Sequence, residues 1–100
     1  MAAYKLVISP AAREDLKVIY QYGCGAWGVR RSSQYLDRLK DQLWGLIDNP
    51  ELGLKRDELV RGIRSVSVDS HVLFYRIKNR RLEVIRVLHA RQDHQVNLKS

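Results

Sequence analysis

The residues best equipped for chemistry lie near the C-terminus, in RVLHARQD, Arg86 to Asp93, followed at once by His94. Arg86, His89 and Arg91 combine an imidazole, with an unperturbed pKa of about 6.5, and two permanent cations. Such a set suits RNA cleavage: a histidine acts as general acid or base while arginines orient the scissile phosphate and stabilise charge. Arg61 and Arg64, which straddle Gly62 in RGIRS, would join this group only if the strands pair to bring them there. A plainer reading competes at each position. His89 ends a strand and bonds locally, Arg61 and Arg64 are edge-strand charges that discourage aggregation, and Arg91 is a solvated tail residue. Arginine does not release its proton in proteins, so a catalytic reading rests on His89 alone. Recognition without catalysis is the reading we favour for Arg61, Arg64, Arg86, His89 and Arg91.

Other residues add little chemistry. Trp27 and Trp44 read as packing residues, with Trp27 pinning two helices together. Tyr75 reads as core or groove lining, since stacking on RNA bases requires exposure. The single cysteine, Cys24, has no motif beside it that argues for reactivity and excludes both an internal disulfide and a cysteine-based zinc cluster. GCGAWG, Gly23 to Gly28, lacks the Lys-Ser/Thr ending of a phosphate loop. No pattern implies a metal or a cofactor.

The composition sets the scale. One hundred residues, 45% hydrophobic and 29% charged, fit one small folded domain over residues 1–100. The net charge is +7, with 12 Arg and 6 Lys. A chain this basic implies acidic partners: nucleic acid, an acidic protein segment or an anionic surface. The excess is concentrated in residues 51–100, which hold 11 basic and 6 acidic residues. Charge alone would also suit a basic nucleic-acid-binding module. No stretch approaches the ~20 apolar residues of a membrane span, and the first ten residues lack the apolar core of a signal peptide. The default expectation is the cytoplasm.

The elements that must position these residues follow from pattern. Tyr4 to Ile8 is β-prone. Ser9 and Pro10 suit the N-cap and first position of a helix, whose apolar face is Ala12, Leu16, Ile19, Tyr20 and Gly23. Glu14 and Asp15 are placed to favour its N-terminus. The three glycines of GCGAWG end that helix, and a second runs from about Val29 to Asp48 with Tyr35, Leu36, Leu39, Leu43, Leu46 and Ile47 as its stripe. Asn49–Pro50 stops it. Residues 49–61 read as a connecting loop. Ile63–Val68, His71–Ile77 and Leu82–Leu88 are three strands joined by Asp69–Ser70 and Lys78–Arg81. The expected fold is α+β: an N-terminal strand, an antiparallel helical hairpin, then a three-stranded antiparallel meander with the helices on one sheet face. Arg91 to Ser100 is a polar tail with Val96 and Leu98 as anchors.

Strand alternation exposes a difficulty. Val72 and Phe74 point one way, and Leu73, Tyr75 and Ile77 the other. Leu82, Val84 and Leu88 oppose Ile85 and Val87. Both faces are partly apolar, yet there are only two long helices. Either the helices and tail cover more than the pattern suggests, or an outside partner covers the second face.

Taken in order, these pieces resemble a ParE-type toxin of type II toxin–antitoxin systems, within the RelE/ParE superfamily. The matching residues are Tyr4 with SPAAREDL, Ile19 and Tyr22, Trp27–Gly28, Tyr35 to Leu39, Asn49–Pro50 to Gly53, RGIRS, HVLFYRI and IRVLHARQD, spread over residues 4–93. The resemblance implies a small cytoplasmic toxin that inhibits DNA gyrase by trapping its DNA cleavage complex, without being an enzyme. It implies neutralisation by a cognate antitoxin with an acidic, partly apolar C-terminal segment, in a hetero-oligomer. RelE-type members share the fold and instead cleave mRNA on the ribosome. Arg61, Arg64, Tyr75, Arg86, His89 and Arg91 are then the expected contacts to gyrase or antitoxin, with no catalytic, metal or cofactor residue.

Overall fold

A computed structural model describes residues 4–99. Ser9 begins the first helix as its type requires: its hydroxyl accepts from the Ala12 N–H at 3.0 Å and donates to the Ile85 carbonyl at 2.8 Å. One side chain thus caps a helix and ties it to the sheet. The order is β1 (Lys5–Ile8), α1 (Pro10–Trp27), α2 (Val29–Asp48), β2 (Leu54–Lys55), β3 (Arg64–Val68), β4 (His71–Lys78), β5 (Arg81–His89) and α3 (His94–Lys99). The strands form one mixed sheet ordered β1-β5-β4-β3-β2, with β1 parallel to β5 and the other pairs antiparallel. The class is the expected α+β.

Several details differ from expectation. α1 does not break at Gly23 but runs through Cys24 and Gly25 to Trp27, and Gly28, at φ +95°, ends it. Gly23 is a packing residue: a Cβ there would lie 2.4 Å from the Ser32 Oγ, whose proton goes to the Tyr20 carbonyl at 2.7 Å. Its absence lets α1 and α2 approach closely. The loop after α2 contributes β2, whose two residues are too few to show a period-two pattern. The tail folds as α3, in which Leu98 packs inward while Val96 is exposed. Trp27 and Trp44 are also exposed, at 51% and 61%, so neither is a core packing residue. Trp27 meets Tyr22 and Tyr35 edge-on at 6.3 and 6.2 Å on the surface side of the hairpin.

The sheet carries a core on each face. Leu39, Leu43 and Leu46 of α2 pack with Leu73, Tyr75, Leu82, Val84 and Val87. On the other face Ile63, Val72, Phe74 and Leu88 are covered by Leu59, Val60, Ile85 and Leu98. The second apolar face is therefore covered from within, by the segment before β3 and by α3, and an outside partner is not needed to bury it. A bulge sets the pattern of β5: Tyr75 pairs with Val84 but Phe74 with Arg86, leaving Ile85 as the extra residue. This shifts the alternation, so Val87 joins Val84 on the helix face and Leu88 joins Ile85 on the other. Among the described residues no helix is long and apolar enough to cross a membrane.

Candidate functional site

The bulge determines what stands at the end of β5. Without the extra residue His71 would face Leu88; with it, His71 pairs with His89. Their rings meet edge-on at 5.3 Å. His71 Nδ1 shares a 2.6 Å hydrogen bond with the Tyr35 hydroxyl, and Arg38 lies over the Tyr35 ring at 5.4 Å while pairing with Asp69 at 2.8 Å. Burial, and then the charge of His89, holds the His71 pKa below the ordinary histidine value. Burial likewise raises the Tyr35 pKa. His89 Nδ1 accepts from the Arg91 N–H at 3.1 Å, which in the neutral ring leaves the proton on Nε2. The His89 N–H donates to Gln92 Oε1 at 2.7 Å, and the His89 carbonyl accepts from His94 Nε2 at 3.2 Å. His94 in turn packs edge-on against Phe74 at 5.0 Å. All three histidines of the chain thus gather at one end of the β4–β5 pair.

This end opens into a cleft of about 420 Å³, with His71, His89, Tyr35 and Ile19 behind a rim of Val18, Tyr22 and Trp27. The rim is exposed: Tyr22 reaches 72%. A second hollow of about 460 Å³ shares Trp27, Tyr35 and Ser70 and adds Arg31, Gln34, Arg38 and Asp69. The cleft is aromatic and weakly basic, a surface suited to holding a partner rather than a small ion. Among the described residues no group of three or more His, Cys, Asp or Glu side chains is placed to hold a metal.

The sequence-derived residues divide between the two ends of the sheet. Arg64 and Tyr75 pair across β3 and β4, four residues along β4 from His71, about 13 Å at the usual strand rise. Tyr75 is fully buried; its hydroxyl donates to the Pro50 carbonyl at 2.7 Å and accepts from the Gly53 N–H at 2.8 Å. Arg64 donates to the Glu51 and Gly53 carbonyls at 3.1 and 2.8 Å. Together they fix the turn after α2. Gly53 admits the Tyr75 hydroxyl, which would lie 2.5 Å from a Cβ. Arg61 is exposed beside them in a cleft of about 500 Å³ that also includes Lys55, Asp57 and Glu51.

Arg86 sits between the ends and is occupied. Its Nε and Nη2 donate to Asp15 at 2.7 and 2.9 Å, and its Nη1 to the Asn97 carbonyl at 3.1 Å. Asp15 also accepts from the Val87 N–H at 2.9 Å. Asp15 lies past the first turn of α1, so its role is this pairing rather than the helix N-terminus. The pair joins α1, β5 and α3 just beyond the bulge. Arg91 is exposed in the turn after β5, beside His89. Sequence reasoning did not single out His71, Tyr35, Tyr22 or Asp15. Tyr35 carries helix periodicity and reads as an ordinary face residue, and Tyr22 entered only through the family resemblance; His71 gains its partner only through the bulge.

Comparison with known proteins agrees with this architecture. The family model described as "ParE toxin of type II toxin-antitoxin system, parDE" matches residues 6–94. The chain is 38% identical over 95 residues to Toxin ParE1 of Mycobacterium tuberculosis, covering 94% of this chain and 97% of that one. It is 34% identical over 98 residues to Toxin ParE1 of Caulobacter vibrioides, covering 98% and 99%. Among solved structures, the chromosomal ParDE system from P. aeruginosa superposes with a TM-score of 0.79 at 19% identity, over 89% of this chain and 98% of that one. A mutant of the E. coli toxin RelE in the free state gives 0.69 at 18% identity, over 95% and 92%. With a fold like theirs and sequence identity along nearly its whole length to the curated relatives, the chain belongs to the ParE toxin family of type II toxin–antitoxin systems.

Proposed function

We propose that this toxin acts by binding DNA gyrase and trapping its DNA cleavage complex, performs no chemistry of its own, and is neutralised in the cytoplasm by a cognate antitoxin. The observation that carries this reading is the separation of the candidate residues. Phosphodiester cleavage requires a base and several cations around one phosphate. Here His89 stands at one end of the sheet and Arg64 at the other, while Arg86 is committed to Asp15 and Tyr75 is buried. Arg61, His89 and Arg91 are the partner contacts in this reading; Arg64, Tyr75 and Arg86 hold the surfaces that present them. The aromatic cleft beside His71 and His89 suits a partly apolar protein segment, and the surrounding arginines suit an acidic one. In a gyrase supercoiling assay the purified toxin should suppress supercoiling and leave linear, cleaved DNA. Unaffected supercoiling beside codon-specific cleavage of ribosome-bound mRNA would replace this reading with the RelE-type one. Co-expression with the product of the neighbouring gene should restore growth.

A further inference from the structure

We infer that the tip of the β4–β5 hairpin, with Lys5 beside it, is a contact site for the phosphate backbone of duplex DNA. Three strands bring like charges into one row: Lys5 of β1 pairs with Arg81 of β5, which pairs with Lys78 of β4. Leu6, Leu82 and Ile77, one step along, pack in the helix-side core, so alternation turns the cationic row toward the opposite face. Cations directly opposite one another weaken a sheet. Arg80 adds a fourth at the turn itself, where Asn79 and Arg80 adopt φ of +51° and +60°. A two-residue turn of this kind prefers Asn-Gly, because a side chain at positive φ is strained. The Arg80 carbonyl accepts from the Lys5 N–H at 2.9 Å, which binds the turn to the row.

Lys5, Lys78, Arg80 and Arg81 are all exposed, and among the described residues none of them forms a salt bridge. The neighbouring carboxylate, Glu83, is held by Arg76 at 2.6 Å. Two local rules are therefore broken in favour of positive charge that forms no ion pair among the described residues. The Arg76 hydrogen bond holds the Glu83 carboxyl below the usual carboxylate range, and Arg81 and Lys78 only add to it. Protection of the β1 edge needs a single lysine, and it does not need an arginine at positive φ.

The chemistry of the patch selects the ligand. A protein interface wants an aromatic or aliphatic anchor surrounded by a polar rim, and among the described residues no exposed large hydrophobic residue belongs to this tip. Single-stranded nucleic acid wants exposed aromatic platforms on which bases stack, and among the described residues the tip has none, Tyr4 beside Lys5 being half-buried. Cations alone suit a duplex backbone, which is met without base readout. The inference does not rest on the gyrase reading, because the test uses bare DNA.

The test is anisotropy of the purified full chain on a labelled mixed-sequence duplex of roughly 20 base pairs, from about 50 to 200 mM salt. Replacing Lys5, Lys78 and Arg81 together by Gln should lower affinity at least about tenfold at the low-salt end and flatten the log–log salt slope by about 2 to 3, near 0.9 per lost phosphate contact. A control with Arg13, Lys17 and Lys40 replaced by Gln has the same net charge and should keep the wild-type slope. Equal losses in both variants, or no loss in the first, would overturn the site. Arg80→Gly gives a second reading that does not depend on a fragile fold. It should weaken DNA binding while raising Tm by several degrees, about 4–8 °C for each kcal/mol of relieved strain. A fall in both, or unchanged binding, would overturn it.

Discussion

At one end of the sheet Tyr35, His71, His89 and His94 bond to one another or to nearby backbone, and α3 closes over the neighbouring core. At the other end Lys5, Lys78, Arg80 and Arg81 stand exposed without an ion pair among the described residues. Both ends are polar and both belong to β4 and β5, yet they are built to opposite rules. The histidine end is half-buried, so each polar group left without a partner would carry a desolvation cost; its bonds hold the chain together. The lysine–arginine end remains hydrated, so charge can accumulate at little desolvation cost and act outward. Burial, more than residue type, separates groups that organise the fold from groups offered to a partner.

The strongest way to break this contrast is at the joint where the bulge forms. Asp15 takes two bonds from Arg86 and one from the Val87 N–H, and the two side chains are only 14% and 20% exposed. Asp15→Ala leaves a largely buried guanidinium with the Asn97 carbonyl alone. We expect a loss of about 3 kcal/mol in urea unfolding, with part recovered by Asp15→Asn, which keeps an acceptor for Val87. The histidine end should loosen with it, seen as faster amide exchange at His89 and Arg91. A loss under about 1 kcal/mol would mean that the pair is ornamental, as exposed ion pairs are.

A smaller effect is expected on the far side of the fold, at Tyr75. Its hydroxyl is enclosed and satisfies Pro50 and Gly53. Tyr75→Phe removes both bonds and leaves a buried N–H and a carbonyl unpaired, at about 2 kcal/mol. The damage should stay in the turn after α2, with exchange at Gly53 accelerated and His89 unchanged. If exchange at His89 rises as well, the two ends are not independent.

Much of this was legible in the sequence. Ser9–Pro10 marked a helix start and both caps the helix and enters its first turn, because short-range hydrogen bonding and the fixed proline φ act locally. The stripe of Leu39, Leu43 and Leu46 located the main core for the same reason. What was hidden depends on contacts distant in sequence. Of the glycines of GCGAWG, Gly28 ends the helix as its type suggests, but Gly23 serves a helix crossing set by Ser32. The one-residue slip at Ile85 reassigns Val87 and brings His89 to His71. Neither hairpin turn announces it. The cover over Phe74 comes from Leu59, Val60 and Leu98, which sit in segments with too little periodicity to reveal a buried face. Of the candidate site, Arg61 and Arg91 are surface residues as the plainer reading had them, and Tyr75 lies in the core as read, whereas the internal work of Arg64 and Arg86 was invisible without the register.

The mildest test acts on the histidine end through pH. Burial and the neighbouring His89 hold the His71 pKa below its ordinary value. Tyr35, Arg38 and Asp69 also face this group, and Asp69 is already engaged by Arg38. Above about pH 6.5, the unfolded-state value, His71 is neutral in both states and its contribution is complete. As pH falls below that value the unfolded chain takes up the proton first, so stability is lost as pH drops through the depressed folded value. Comparing wild type with His71→Gln removes the titrations common to both. Their difference in Tm should be constant above about pH 7 and should shrink as pH falls from about 6.5 toward 5. The lysine–arginine tip offers no counterpart, since it holds no histidine, the side chain whose ordinary pKa lies in that range. Replacing Lys78 by Gln should therefore leave the shape of the Tm profile between pH 5 and 8 as in wild type. A constant or widening gap for His71→Gln would mean that the imidazole is as hydrated as the cations at the other end, and the contrast between the two ends would fail.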